Sequence, residues 1–212
     1  MRLSRRLRLV QAVLVALVLC LASRTGALPA ERVVLCFGDS LTAGLGVAPD
    51  EAYPALLGAR LHAAGYRYRV VNAGVSGDTT AGGLRRVDWA LRLTPDIVIL
   101  ALGANDGLRG QDLAGVRANL DQLVERFQRS GARVLLAGMR LPPNYGRPYA
   151  EDFRRMYAAV ARKRSVPFMP FLLDGVGGNP RLNQPDGIHP TAEGHRVIAE
   201  RLWPYLRPLL TR

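Results

Sequence analysis

The chain has 212 residues, of which 49% are hydrophobic and 22% charged, and a formal charge of +12. That length suits one domain with a substantial core, and the composition excludes a disordered chain or a coiled coil. Nearly all the positive charge is arginine, with Lys163 the only lysine, and no basic run interleaves with aromatics; nucleic acid is not an expected partner.

The first 27 residues differ from the rest. Arg2, Arg5, Arg6 and Arg8 precede Leu9 to Ala22, a run of 14 residues that is apolar except for Gln11. Such a run is too short to span a bilayer comfortably, and Thr25-Gly26-Ala27 supplies small residues for cleavage. Residues 1–27 are therefore expected to be a secretory signal peptide, with a retained membrane anchor as the alternative. The remaining domain, 28–212, would be periplasmic or secreted. Cleavage removes five arginines and leaves a charge of +7. A positive exterior can draw in anionic lipids or acyl carriers, or simply be solvated. Cys36 then has no cysteine partner and is expected to be a buried, inert thiol.

From Arg32 onward, short apolar runs alternate with amphipathic stretches. Residues 32–37, "RVVLCF", read as a buried strand, and 53–64 as a helix ended by Gly65. A second strand is expected over 68–72, then a helix over 79–94 opened by Thr79 or Thr80. Residues 96–102, "DIVILAL", form the most apolar strand. Leu113, Val116, Leu120, Leu123 and Phe127 recur at helical intervals over 112–128, and Gly131 closes that helix. Strands are expected at 133–138 and 166–171, with helices at 149–163 and 191–206. Near-continuous apolar strands imply a sheet covered on both faces, hence parallel, in a three-layer α/β/α sandwich. In such sheets the working residues gather at the carboxyl ends of the strands.

Three strand ends and one late turn carry polar groups. "FGDSLTAG" follows the first strand and places Ser40 before a glycine-rich turn. A serine hydroxyl needs a base to become a nucleophile. The late turn "DGIHP" offers one: His189 takes the proton and Asp186 holds the ring. The order Ser, Asp, His matches α/β-hydrolases, but Gly38-Asp39-Ser40-Leu41-Thr42 is not their G-x-S-x-G elbow. "NAGVSGDTT" follows the second strand and "LGANDGLRG" the third. The Ser40 and Gly77 backbone N–H groups and the Asn105 amide are expected to converge on a developing oxyanion. Bland alternatives exist for each: Ser40 can cap a helix, Asn105 and Asp106 can be turn residues, and Gly77 can serve geometry alone. Asp39 is expected to fix the serine loop. His62 and His195 read as structural, His195 at the surface of the last helix.

The blocks "FGDSLTAG", "GVSGDTT", "GANDG" and "DGIHP" together resemble the four motifs of the SGNH, or GDSL, hydrolase superfamily. "GANDGLRG" and "RLPPNYGRPY" are most similar to its bacterial periplasmic branch of thioesterases, lysophospholipases and arylesterases. The resemblance implies a five-stranded parallel sheet in flavodoxin-like order. It also implies hydrolysis through an acyl-enzyme on Ser40, without metal or cofactor. Ala104 departs from the pattern where a second glycine is common, and adds a methyl group beside the oxyanion hole. The resemblance further implies that Leu141 and Pro142 line an acyl pocket. Asp39 and Arg109 complete the expected substrate contacts; Arg109 and Arg140 are available to a phosphate or coenzyme A tail, with solvent exposure or a structural ion pair as the alternative for each. The expected substrate is a small acyl ester or thioester, or a lysophospholipid, with no obligate protein partner. Two rivals remain: a carbohydrate O-acetylesterase, and an inactive module that binds acyl or glycan ligands.

Overall fold

The computed structural model describes residues 31–212, so the expected signal segment lies outside the described residues. Five parallel strands form the sheet: β1 (Arg32–Gly38), β2 (Tyr68–Gly74), β3 (Ile97–Ala101), β4 (Arg133–Ala137) and β5 (Phe168–Met169). Their order is β2-β1-β3-β4-β5, the doubly wound arrangement that the resemblance implies. β1 is an inner strand and pairs Val34 with Val70 on one side and Ile97 on the other. Val34 to Phe37 and Ile97 to Leu100 are fully buried, as strands covered on both faces require.

Helices supply the outer layers: α1 (Ser40–Ala43), α2 (Tyr53–Ala63), α3 (Thr80–Leu91), α4 (Ala104–Leu108), α5 (Leu113–Arg129), α6 (Arg147–Arg164) and α7 (Ala192–Leu206). α2 packs on α7, while α5 packs on both α3 and α6. The apolar stripe of α5 buries Val116, Leu120, Leu123, Val124 and Phe127; Phe127 meets Phe37 edge-on at 5.3 Å. Burying a side chain of this kind contributes about 1.5–3 kcal/mol. Asp112 caps α5 by accepting from the Gly115 N–H, and Thr79 caps α3 through the Gly82 N–H.

Three expectations need correction. β5 has two residues, not six, because Pro167 and Pro170 flank it and cannot donate to a ladder. α1 and α4 replace what read as turns; at four and five residues they are too short to show a period. His195 is fully buried, not superficial. Its Nδ1 accepts from the Tyr53 N–H at 3.3 Å, and its ring stacks on Tyr53 at 6.3 Å. Cys36 is buried and free, as expected, and burial pushes its thiol far above the ordinary range. Among the described residues, no helix is long and apolar enough to cross a membrane.

Candidate active site

β1 ends at Gly38, and the chain turns directly into α1. Asp39 is the N-cap of that helix, its carboxylate accepting from the Leu41 N–H at 3.0 Å. Ser40 is the first helical residue and does not cap it, so the capping alternative for Ser40 falls. Its Oγ lies 2.9 Å from His189 Nε2. Asp186 Oδ2 stands 2.6 Å from His189 Nδ1. Asp186 Oδ1 also accepts from the Ile188 and His189 N–H groups, both at 3.0 Å. Led by the bond from the His189 N–H, these contacts hold the Asp186 carboxyl down at about 2. The carboxylate thus stays ionised at any working pH and favours the tautomer with its proton on Nδ1.

The loop before this turn, 174–185, is well anchored. Asn183 is buried and donates to the Val176 and Asn179 carbonyls. Gln184 carries most of the alignment: its N–H donates to the His189 carbonyl at 2.7 Å, and its side-chain amide donates to the Leu45 and Pro190 carbonyls. One glutamine therefore fastens the histidine turn to the segment just after α1. Gln184 had no visible signal in the sequence, since its partners are backbone carbonyls, one of them 139 residues away.

Asn105 lies on α4, beyond the end of β3, and its side-chain amide donates to the Asp78 carbonyl at 3.0 Å. That bond uses one amide hydrogen and leaves the second available. The adjacent Asp106 is fully buried and accepts from the Thr80 N–H at 2.9 Å and the Thr80 hydroxyl at 2.7 Å. It ties α4 to the start of α3 and is no simple turn residue. Gly77 has φ +79, a conformation costly for any residue with a Cβ, and its carbonyl accepts from Arg109 at 3.2 Å.

A cavity of about 440 Å³ opens beside Ser40. Asp39, Ser40, Ala104, Asn105, Leu141, Pro142 and His189 all border it, so four separate segments converge on one space. Its apolar wall also includes Met139, Phe171, Leu173 and Ile188. Gly77, Arg109 and Asp186 are not in its lining. Arg109 donates from one terminal nitrogen to the Gly77 carbonyl, outside the lining of this cavity. Arg140 does border the cavity, held over the Phe171 ring at 4.9 Å. Among the described residues, no group of three or more His, Cys, Asp or Glu side chains is arranged to hold a metal ion.

Asp39 is only 1% exposed. Burial pushes its carboxyl from 3.8 to about 7, against the opposing pull of the Leu41 N–H and of His189. Its proton is thus held more tightly in the folded state, so its contribution to stability is present below pH 4 and is lost as pH rises through 7. Buried His195 has the opposite sign: burial lowers it from 6.5 to about 4, and stability is lost as pH falls through that window. Asp39→Asn keeps the cap and removes only the titration. Urea denaturation at pH 4 and pH 8 is expected to show the variant gaining about 2–4 kcal/mol on wild type between the two. A constant difference would mean the carboxyl is not perturbed.

A hydrolase acting on acyl groups is the class that this fold and this serine–histidine–aspartate arrangement define. The GDSL-like Lipase/Acylhydrolase family model matches residues 36–197; the chain belongs to that family and is a carboxylic ester hydrolase. The chain is 46% identical over 182 residues to the esterase TesA of Pseudomonas aeruginosa, covering 85% of this chain and 90% of that one. It is 38% identical over 182 residues to thioesterase 1/protease 1/lysophospholipase L1 of Escherichia coli K12, covering 85% and 86% respectively. The fold superposes with a TM-score of 0.80 on the psychrotrophic esterase EstA from Pseudoalteromonas sp. inhibited by monoethylphosphonate, at 31% identity over 84% of this chain and 98% of that one.

Proposed function

We propose that Ser40 is the nucleophile, His189 the general base and Asp186 the group that orients the ring. The observation that carries this reading is the 2.9 Å contact between Ser40 Oγ and His189 Nε2. As Oγ bonds to the acyl carbon, its proton passes to Nε2 and the carbonyl electrons move onto oxygen. The Ser40 and Gly77 N–H groups and the free Asn105 amide hydrogen receive that oxyanion. Collapse expels the alcohol or thiol, which takes the proton from Nε2. Water then repeats the sequence on the acyl-enzyme, releasing the acid and restoring Ser40.

The acyl group occupies the cavity beside Ser40. Its wall of Met139, Leu141, Pro142, Phe171, Leu173 and Ile188 favours an apolar acyl chain or aromatic ester. Such a wall discriminates by only about 1–3 kcal/mol per methylene, so the range is broad: aryl esters, acyl thioesters and lysophospholipids. An O-acetylesterase of carbohydrates would need a more polar pocket, and a binding module would not need a hydroxyl bonded to an imidazole. The arginine-led, apolar N-terminal segment supports export to the periplasm or beyond.

Rates on p-nitrophenyl esters of increasing chain length, on an acyl-CoA and on a lysophospholipid test this reading. kcat/KM is expected to rise from acetyl to medium-chain esters, with measurable thioester cleavage. Activity confined to acetyl groups would shift the assignment to an O-acetylesterase. Absence of a fluorophosphonate adduct on Ser40 in folded protein would leave only a binding module.

A further inference from the structure

The hydrolytic steps leave without a role a largely buried cation beside the site, Arg86 on α3. Its guanidinium stands over the Phe37 ring, 3.8 Å from the centroid. Nε donates to Asp78 Oδ2 at 2.7 Å, one terminal nitrogen to the Ala73 carbonyl at 2.9 Å, and the other to the Gly38 carbonyl at 2.8 Å. Each partner belongs to a segment that delivers a proposed oxyanion donor. Gly38 ends β1, two residues before Ser40. Ala73 lies near the end of β2, four residues before Gly77. Asp78 follows Gly77 directly, and its carbonyl receives the Asn105 amide.

Phe37 below the guanidinium and the strand ends around it leave little freedom for this side chain. The Gly38 carbonyl also accepts from the Val75 N–H at 3.1 Å, so Arg86 joins a bond network already present where β1 and β2 end. Space for the Asp78 carboxylate exists because residue 82 is glycine. A Cβ on Gly82 would lie 1.7 Å from Asp78 Oδ1. The pairing is therefore built into the surface of α3 and is more than a solvated contact.

We infer that Arg86 is a positioning residue: its planar fork fixes the relative placement of the Ser40 N–H, the Gly77 N–H and the Asn105 amide. The inference rests on the hydrolytic reading of Ser40. Donors displaced by a fraction of an ångström still admit the planar ester but fit the tetrahedral oxyanion poorly. The loss from disturbing Arg86 then falls on kcat, with KM nearly unchanged.

Arg86→Lys keeps the charge but offers one compact ammonium, which cannot reach all three acceptors in the same geometry. Enzyme is counted by fluorophosphonate titration of Ser40, so that misfolded molecules do not enter. Against a p-nitrophenyl ester, kcat per active site is expected to fall about 10- to 100-fold, with KM within about threefold. An alkyl trifluoromethyl ketone, which adds to Ser40 as an oxyanion, is expected to lose affinity in step with kcat/KM. A fatty acid, which forms no oxyanion adduct, is expected to keep its affinity. A purely structural ion pair would lower the melting temperature and leave this split unmoved.

Full kcat per titrated site, or equal weakening of ketone and fatty acid, overturns the inference. If the lysine variant does not fold, Asp78→Asn decides by the same criteria. Its single oxygen can serve Arg86 Nε or the Thr79 N–H that Asp78 Oδ1 accepts at 3.0 Å, but not both, and a fall in kcat of about 3- to 10-fold is expected. Failure of the wild-type protein to label at Ser40 removes the hydrolytic reading and the role of Arg86 together. A labelled wild type with unaltered variants removes the role of Arg86 alone.

Discussion

Ser40→Ala is expected to lower kcat about 10⁶-fold while changing the unfolding free energy by about 1 kcal/mol. The size of the kinetic loss follows from the nucleophilic role proposed for the hydroxyl. Without Oγ no acyl-enzyme forms, His189 has no proton to take, and only the oxyanion donors and the acyl cavity still act on the ester. Those residual groups hold a water-attack path at a rate well below the native one. The stability change is small for a structural reason. The cap of α1 belongs to Asp39, so alanine at 40 removes no helix-terminal bond and leaves a residue of good helix propensity at the first position. The bond lost is the one to His189 Nε2, whose ring faces a cavity that water can enter. Steady-state assay of a p-nitrophenyl ester, with urea denaturation on the same preparation, checks both parts. Retention of more than about a hundredth of wild-type kcat would assign the nucleophile to another group.

The reading of Ser40, His189 and Asp186 was available from the sequence because each sits in a short local motif with a strand or a proline beside it. The same holds for the sheet: strands β1 and β3 are unbroken apolar runs, and buried parallel strands leave that mark. What could not be read is what depends on groups far apart in the chain. Gln184 acts on the carbonyls of Leu45 and Pro190, and Arg86 on those of Gly38 and Ala73. A backbone carbonyl has no sequence identity, so neither side chain stood out. His195 was misplaced for a related reason. Its spacing on α7 gave no sign that Tyr53, 142 residues earlier, would cover it and use its Nδ1 as an acceptor. The bond from Arg109 to the Gly77 carbonyl was equally invisible, because its acceptor is a backbone atom 32 residues away. The β5 boundaries failed because two prolines override an apolar run at an edge strand.

Asp186→Asn is expected to cut kcat about 10³- to 10⁴-fold with KM little changed. In the native turn, Oδ1 serves the Ile188 and His189 N–H groups while Oδ2 serves the ring. Asparagine can keep its oxygen on the two backbone donors, so the loop retains its form. Its NH₂ then faces Nδ1, which has to become an acceptor. The ring proton moves to Nε2 and points at Ser40 Oγ, where a lone pair is needed. The base is present, in place, and in the wrong tautomer. Part of the effect is softened because the Asp186 side chain is 46% exposed, and water can compete for the ring. The pH profile separates this account from a purely electrostatic one. Asp186 is held near 2, so its charge is constant across the working range and it adds nothing to the acid limb of kcat/KM, whereas buried Asp39, raised to about 7 beside the same cavity, titrates within that range in wild type and variant alike. If the aspartate served only to stabilise imidazolium charge, the variant would shift that limb to lower pH and recover its rate on the alkaline side. A tautomer defect persists at every pH above the limb, because the neutral ring is the form that is misprotonated. Recovery of near-native turnover at alkaline pH would therefore reduce Asp186 to an electrostatic partner of His189, while a loss that persists there keeps it as the group that selects the working tautomer.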